Sequence, residues 1–163
     1  MYKIQVEELT RERFSEYGSF YHMENPSGNS LRGDLHNFFP DRITGWADRR
    51  IGFSPIVVKK PERMVIDQVE MHMSTWEMIL PLNDAMIIHV SPASGNTPRT
   101  ELTRAFLVPR HTLVKINTAI WHLAPLPENE PELWAMIVLP ECTYLRDCHV
   151  VNLEEKQKFE IIK

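Results

Sequence analysis

Short apolar runs alternate with prolines and polar turns over most of the second half of the chain. Eight of the 12 prolines fall between Pro81 and Pro140, and they cut that stretch into pieces too short for ordinary helices. The runs AMIIHV (85–90), RAFLV (104–108), TLVKI (112–116), AIWHL (119–123) and ELWAMIVL (132–139) are rich in strand-favouring residues. GFSPIVVKK (52–60) and RMVIDQVEMHM (63–73) read the same way. The pattern predicts seven or eight strands at spacings of roughly 8–14 residues, arranged as a sandwich or barrel. Turns are predicted at Asn83-Asp84, at SPASGNTP (91–98) and at LPENEP (126–131). One helix is predicted, over LTRERFSEYG (9–18), with Thr10 as its cap and Gly18 as its stop. Residues 18–50 are polar and irregular and read as a long connection. The tail NLEEKQKFEIIK is charged and is compatible with a strand, a short helix or a loose end. There is no internal repeat and no linker, so one domain is expected over residues 1–163, with its core at about 52–145.

Composition narrows the class. The chain has 163 residues, 43% of them hydrophobic and 25% charged, which fits a globular protein and excludes a coiled coil or a collagen-like repeat. Its net charge is -4, and the basic pairs Arg49-Arg50 and Lys59-Lys60 are too small to form a nucleic-acid stripe. No apolar run reaches the roughly 20 residues of a membrane span. The start, MYKIQVEELTRERF, lacks a signal-peptide core. The two cysteines, Cys142 and Cys148, read as reduced thiols. A cytoplasmic protein with a small-molecule partner, binding neither nucleic acid nor membrane, is therefore expected.

Candidate chemistry lies in EMHMSTWEMILPLND, residues 70–84. Alternate residues of a strand share a face, so Glu70 and His72 point one way while Val69, Met71 and Met73 point the other. That is how a barrel strand presents polar groups to a lumen. Glu77 follows after enough chain to reach a neighbouring strand. His122 stands later, in NTAIWHLAP (117–125), with Trp121 pointing away from it. His22, His36, His89, His111 and His149 read as structural or surface histidines. The tryptophans Trp46, Trp76, Trp121 and Trp134 read as core.

These segments resemble the two motifs of the cupins, small β-barrels holding a metal or substrate in the lumen. In the first motif, Glu70 stands in the first His place, His72 in the second, Glu77 in the Glu place and Asp84 in the turn-glycine place. In the second, Asn117, Ala119 and His122 occupy the Pro, Gly and His places. A closer resemblance is to the ureidoglycolate lyase family, a cupin branch. Leu9, Phe14, Tyr17 and Gly18 match its opening pattern. Glu70, His72 and Pro81 match its first core motif, with Glu77 in place of Gln. Arg104-Ala105-Phe106 and Trp121-His122 match its second.

The resemblance implies an all-β, cupin-type double-stranded β-helix (a jelly-roll barrel) with a short N-terminal helix. It implies a carbon–nitrogen lyase of purine catabolism, in allantoin degradation, that releases glyoxylate and urea from a hydroxy-acid ureide, and a homodimer. Glu70, His72 and His122 are the implied catalytic residues. Arg104 and Lys115 are candidates to hold a substrate carboxylate. Two chemistries remain open for the cluster. Glu70, His72, Glu77 and His122 could ligate a divalent metal (Zn, Mn, Fe or Ni), or the same groups could act as general acid and base without one. No organic cofactor is expected. The alternatives in function are a metal-dependent cupin isomerase or oxygenase acting on another small polar metabolite, and a non-catalytic barrel that binds a small ligand.

Overall fold

A computed structural model describes residues 1–163. In chain order its elements are β1 (Tyr2–Glu8), α1 (Arg11–Phe14), β2 (Gly18–His22), β3 (Leu31–Arg32), β4 (Asn37–Phe38), β5 (Ile51–Lys59), β6 (Met64–Ile66), β7 (Gln68–Met71) and β8 (Glu77–Pro81). They continue with β9 (Met86–Val90), β10 (Arg104–Val108), β11 (Thr112–Ile116), β12 (Leu126–Pro127), β13 (Glu132–Pro140), α2 (Thr143–Arg146), β14 (His149–Asn152) and β15 (Phe159–Ile162). The predicted runs 104–108 and 112–116 are strands residue for residue.

Two larger sheets build the barrel. One runs β12-β9-β10-β1-β15-β6 and the other β2-β11-β8-β13-β5, while β14 pairs with β7 and β3 with β4. Between the larger sheets lies a core of 16 buried residues that includes Phe14, Ile79, Ile88, Phe106, Val114, Ile116 and Ile137. Strand alternation divides β9 and β10: Ile88 and Phe106 belong to this core, while Ile87 and Ala105 belong to a second one with Val69, Met71, Trp121 and Phe159.

Several expectations are corrected. The helix shortens to a single turn, with the Thr10 hydroxyl accepting the Arg13 N–H. Gly18 does not stop it but begins β2, where a Cβ would stand 1.8 Å from the Lys115 carbonyl oxygen. Residues 119–123 are not a strand. They make two isolated bridges, Glu70 to His122 and Ser91 to Trp121, because Ala119 takes a φ of 63° and breaks the extended run. The tail, compatible by sequence with a strand, a short helix or a loose end, forms β15, and the charged start is the strand β1. Trp46 and Trp134 are not core residues; they are 82% and 53% exposed.

Candidate metal centre

The polar side chains of the first motif meet at one end of the inner core. In β8, Glu77 alternates with Ile79, which lies in the first core, so its carboxylate points inward. Glu70 and His72 share a face of β7 and its continuation, opposite Val69 and Met71, which lie in the second core. His122 arrives from a turn whose geometry Ala119 sets. The Ala119 N–H donates to the His72 carbonyl at 2.7 Å, and the backbones of Glu70 and His122 exchange both hydrogen bonds, at 2.7 and 2.8 Å. The backbone thereby clamps the two histidines side by side. Their ring centroids lie 5.2 Å apart.

The ligand atoms of Glu70, His72, Glu77 and His122 all lie within 4.8 Å of one another. His72, Glu77 and His122 are buried, and Glu70 is half-buried. Each imidazole is oriented by a carbonyl oxygen, which can only accept. His72 Nδ1 donates to Asp147 O at 3.0 Å and His122 Nδ1 donates to Ile120 O at 2.8 Å. Both Nε2 atoms therefore face inward, 3.1 and 3.5 Å from the same oxygen of Glu77, and that of His122 is buried without a hydrogen-bond partner. Two neutral imidazoles would turn lone pairs on a carboxylate, an arrangement that needs a positive charge between them. Outer hydrogen bonds on Nδ1 with Nε2 free are the usual preparation of histidine ligands.

Electrostatics agree. Burial alone would raise the Glu77 carboxyl, but the two histidines outweigh it and hold it down to about 2. Burial would lower His122, but Glu77 beside it reverses the direction and raises it. Two imidazoles and two carboxylates form a set suited to Zn, Mn, Fe or Ni. The residues present fit a divalent metal.

A family model, ureidoglycolate lyase, matches residues 1–160. The chain belongs to the ureidoglycolate lyase family. Among solved structures it is similar to a dTDP sugar isomerase from Desulfovibrio desulfuricans G20, at 10% identity and a TM-score of 0.52, covering 86% of this chain and 87% of that one. It is also similar to the oxalate decarboxylase of Bacillus subtilis, at 15% identity and a TM-score of 0.45, covering 64% of this chain. The match spans 24% of the length of that decarboxylase. No curated protein matches the chain. The barrel is thus a cupin, with its four candidate ligands together in this family member.

Arg104 and Lys115 are not brought to the cluster. Arg104 forms an ion pair with Glu7, donates to the Arg13 carbonyl and lies over the Phe106 ring. Lys115 alternates with Val114 and Ile116, so it faces away from the inner core. Its ammonium lies over Trp76 and donates to the Thr44 carbonyl at 2.8 Å. The expectation that these cations hold substrate meets two side chains already engaged elsewhere.

The structure adds three residues to the site in this family member, all from residues 144–148. The Tyr144 ring stands edge-on to His72 at 6.4 Å. The residue is 57% exposed, and partial burial followed by the charges of Glu77 and Glu70 pushes its phenol up. The Cys148 thiol donates to Glu70 at 3.1 Å and is pushed up to about 12 by burial and by that carboxylate. Asp147 supplies the carbonyl that holds His72. No sequence motif marks these residues. The nearest signal is a cysteine and an aspartate adjacent to a strand that must pair with Glu70's own.

Proposed function

We propose that the protein is a metal-dependent lyase that cleaves ureidoglycolate, or a closely related hydroxy-acid ureide, to glyoxylate and urea. The observation that carries this reading is the convergence of Glu70, His72, Glu77 and His122 at the end of the barrel core, in a chain of the ureidoglycolate lyase family. The four side chains would hold the divalent metal, which when bound supplies a Lewis acid for the oxygens of the substrate.

The chain's own residues do the remainder. Glu70, the least buried of the four, accepts the hydroxyl proton as the carbon–nitrogen bond breaks and the carbonyl of glyoxylate forms. The Glu70 carboxyl then returns that proton to the departing urea nitrogen, while Tyr144, kept protonated by its surroundings, remains a hydrogen-bond donor. His72 and His122, fixed through Nδ1, hold the inner geometry. The protein is one cupin domain and acts in the cytoplasm on a small metabolite of purine breakdown. It pairs as a homodimer through the exposed apolar side chains Phe53, Val57 and Trp134 beside the sheet-edge strand β5.

The test is urea release from ureidoglycolate by the purified protein, before and after chelation and after reloading with Zn, Mn, Fe or Ni. Urea formation that depends on one of these metals supports the reading. Stoichiometric metal without urea release would favour another cupin chemistry, and neither metal nor turnover would leave a binding barrel. The mass in solution by light scattering tests the dimer.

A further inference from the structure

The four candidate ligands stand on β7, on β8 and in the turn before residue 123, but much of what holds them comes from beyond both motifs. Asp147 binds four consecutive residues of the chain that links His72 to Glu77. Its carbonyl accepts His72 Nδ1 at 3.0 Å. One oxygen of its carboxylate accepts the Met73 N–H at 2.9 Å. The other accepts the Ser74 N–H at 3.0 Å, the Ser74 hydroxyl at 2.8 Å and the Thr75 hydroxyl at 2.9 Å. Partial burial would raise this carboxyl, and these donors instead hold it below the usual range. The next residue, Cys148, donates its thiol to Glu70.

Residues 73–76 decide where Glu77 stands relative to His72, because they are the whole connection between β7's continuation and β8. At its far end Trp76 is buried and its indole N–H donates to the Trp46 carbonyl at 2.7 Å, but the half next to His72 has no such anchor of its own. Met73 and Ser74 are exposed, so water could satisfy their N–H groups in many conformations. The Asp147 carboxylate selects one of them. That conformation is the one in which His72 Nε2 and Glu77 Oε2 lie 3.1 Å apart.

We infer that Asp147 is a positioning residue for the metal centre, setting the spacing of His72 and Glu77 from outside, while Cys148 orients Glu70. The inference rests on the reading of the four residues as ligands. A carboxylate that merely braced a surface loop would affect stability and leave metal affinity alone. A positioning carboxylate affects both the affinity and the geometry of the bound ion.

The experiment uses the full chain, stripped by chelator and reloaded with cobalt(II) as the probe. The dissociation constant is read by competition with a chromophoric chelator, and the ligand geometry from the visible d–d absorption. Asp147→Asn replaces one acceptor oxygen with an amide that faces donors. It is expected to weaken cobalt binding by about 10–100-fold, the usual loss for an outer partner of a ligand, and to alter the d–d bands. Thr75→Val removes one donor at constant shape and should move both readouts the same way by less; it carries the test if Asp147→Asn does not fold. Cys148→Ser, which keeps a donor, should stay nearer the unsubstituted protein than Cys148→Ala. Unchanged affinity and spectrum in Asp147→Asn and Thr75→Val, with a lower melting temperature alone, would overturn the inference and leave the metal reading intact. Failure of the unsubstituted protein to bind cobalt, zinc, manganese, iron or nickel would overturn the metal reading itself, and the inference with it.

Discussion

Glu77→Gln separates the two chemistries the cluster could perform. The side chains are nearly equal in size, so the substitution removes a charge at almost constant shape. The carboxylate oxygen lies 3.1 Å from His72 Nε2 and 3.5 Å from His122 Nε2. At 3.5 Å and an effective dielectric near 20, it attracts one unit positive charge by about 5 kcal/mol before desolvation. Its carboxyl, held at about 2 against an ordinary 4.5, corresponds to about 3 kcal/mol in favour of the ionised state. A neutral amide forfeits this attraction whether the positive charge is a proton on His122 or a metal ion. Metal affinity is therefore expected to fall by more than tenfold, about 1.4 kcal/mol or more, with the fold retained. The assay is a chelator competition on both proteins, with circular dichroism to verify the fold and urea release to follow activity. Equal affinity in the two proteins would refute the assignment of Glu77 as a ligand. Tighter binding of glyoxylate or ureidoglycolate by the metal-free variant, without any metal effect, would show that the site works by acid–base chemistry on an anionic substrate.

Further substitutions test the faces and the backbone. His122→Ala should abolish activity and leave the fold, whereas Phe106→Ala, which empties a fully buried site, should cost about 3–5 kcal/mol in denaturant unfolding; the reverse pattern would mean the faces are misassigned. Ala119→Gly should stabilise by about 1 kcal/mol, seen as a melting point about 2–4 °C higher, because Ala119 sits at a φ of 63° where a Cβ is strained; a lower melting point would contradict that. His89 is pressed down to about 3 by burial, with the His122 charge adding to it. The unfolded chain gains this proton below its ordinary 6.5 and the folded chain only near 3. Stability from this group is complete above 6.5 and declines as pH falls, by at most about 1.4 kcal/mol per pH unit. His89→Leu should flatten the stability profile of chelated protein between those values, and an unchanged slope would rule His89 out as its source.

How far the sequence could be read follows from how local each signal was. The strands over 104–108 and 112–116 were legible because a proline-bounded run of strand formers carries its own punctuation. The pairing of Glu70, His72, Glu77 and His122 was legible because two short motifs fix strand faces, and faces fix direction. Strand β1 was not, since the charges of Tyr2–Glu8 mask its alternation of Tyr2, Ile4 and Val6 toward the second core. Residues 119–123 looked like a strand, but a left-handed residue in the motif's glycine place turned them into a corner. Arg104 looked free for substrate because its partner, Glu7, lies 97 residues away. The contributions of Asp147 and Cys148 were invisible for the same reason: a backbone carbonyl and a thiol leave no spacing to read when the groups they hold are 75 and 78 residues distant.

Strand β1 has a consequence for how the molecule is made. It runs parallel to two neighbours, pairing Val6 with Ala105 on one side and Tyr2 with Phe159 on the other. As the chain is synthesised, β1 therefore cannot complete its hydrogen bonds until residues 159–162 have also emerged, and both closures are costly long loops. During synthesis its open edges and the unfilled half of the second core stay exposed, which is the condition that invites aggregation. A nascent chain stalled before Phe159 should engage chaperones, whereas one extended past Ile162 and clear of the exit tunnel should not. Loss of residues 159–162 would unseat β1, far away along the chain, by removing a pairing partner.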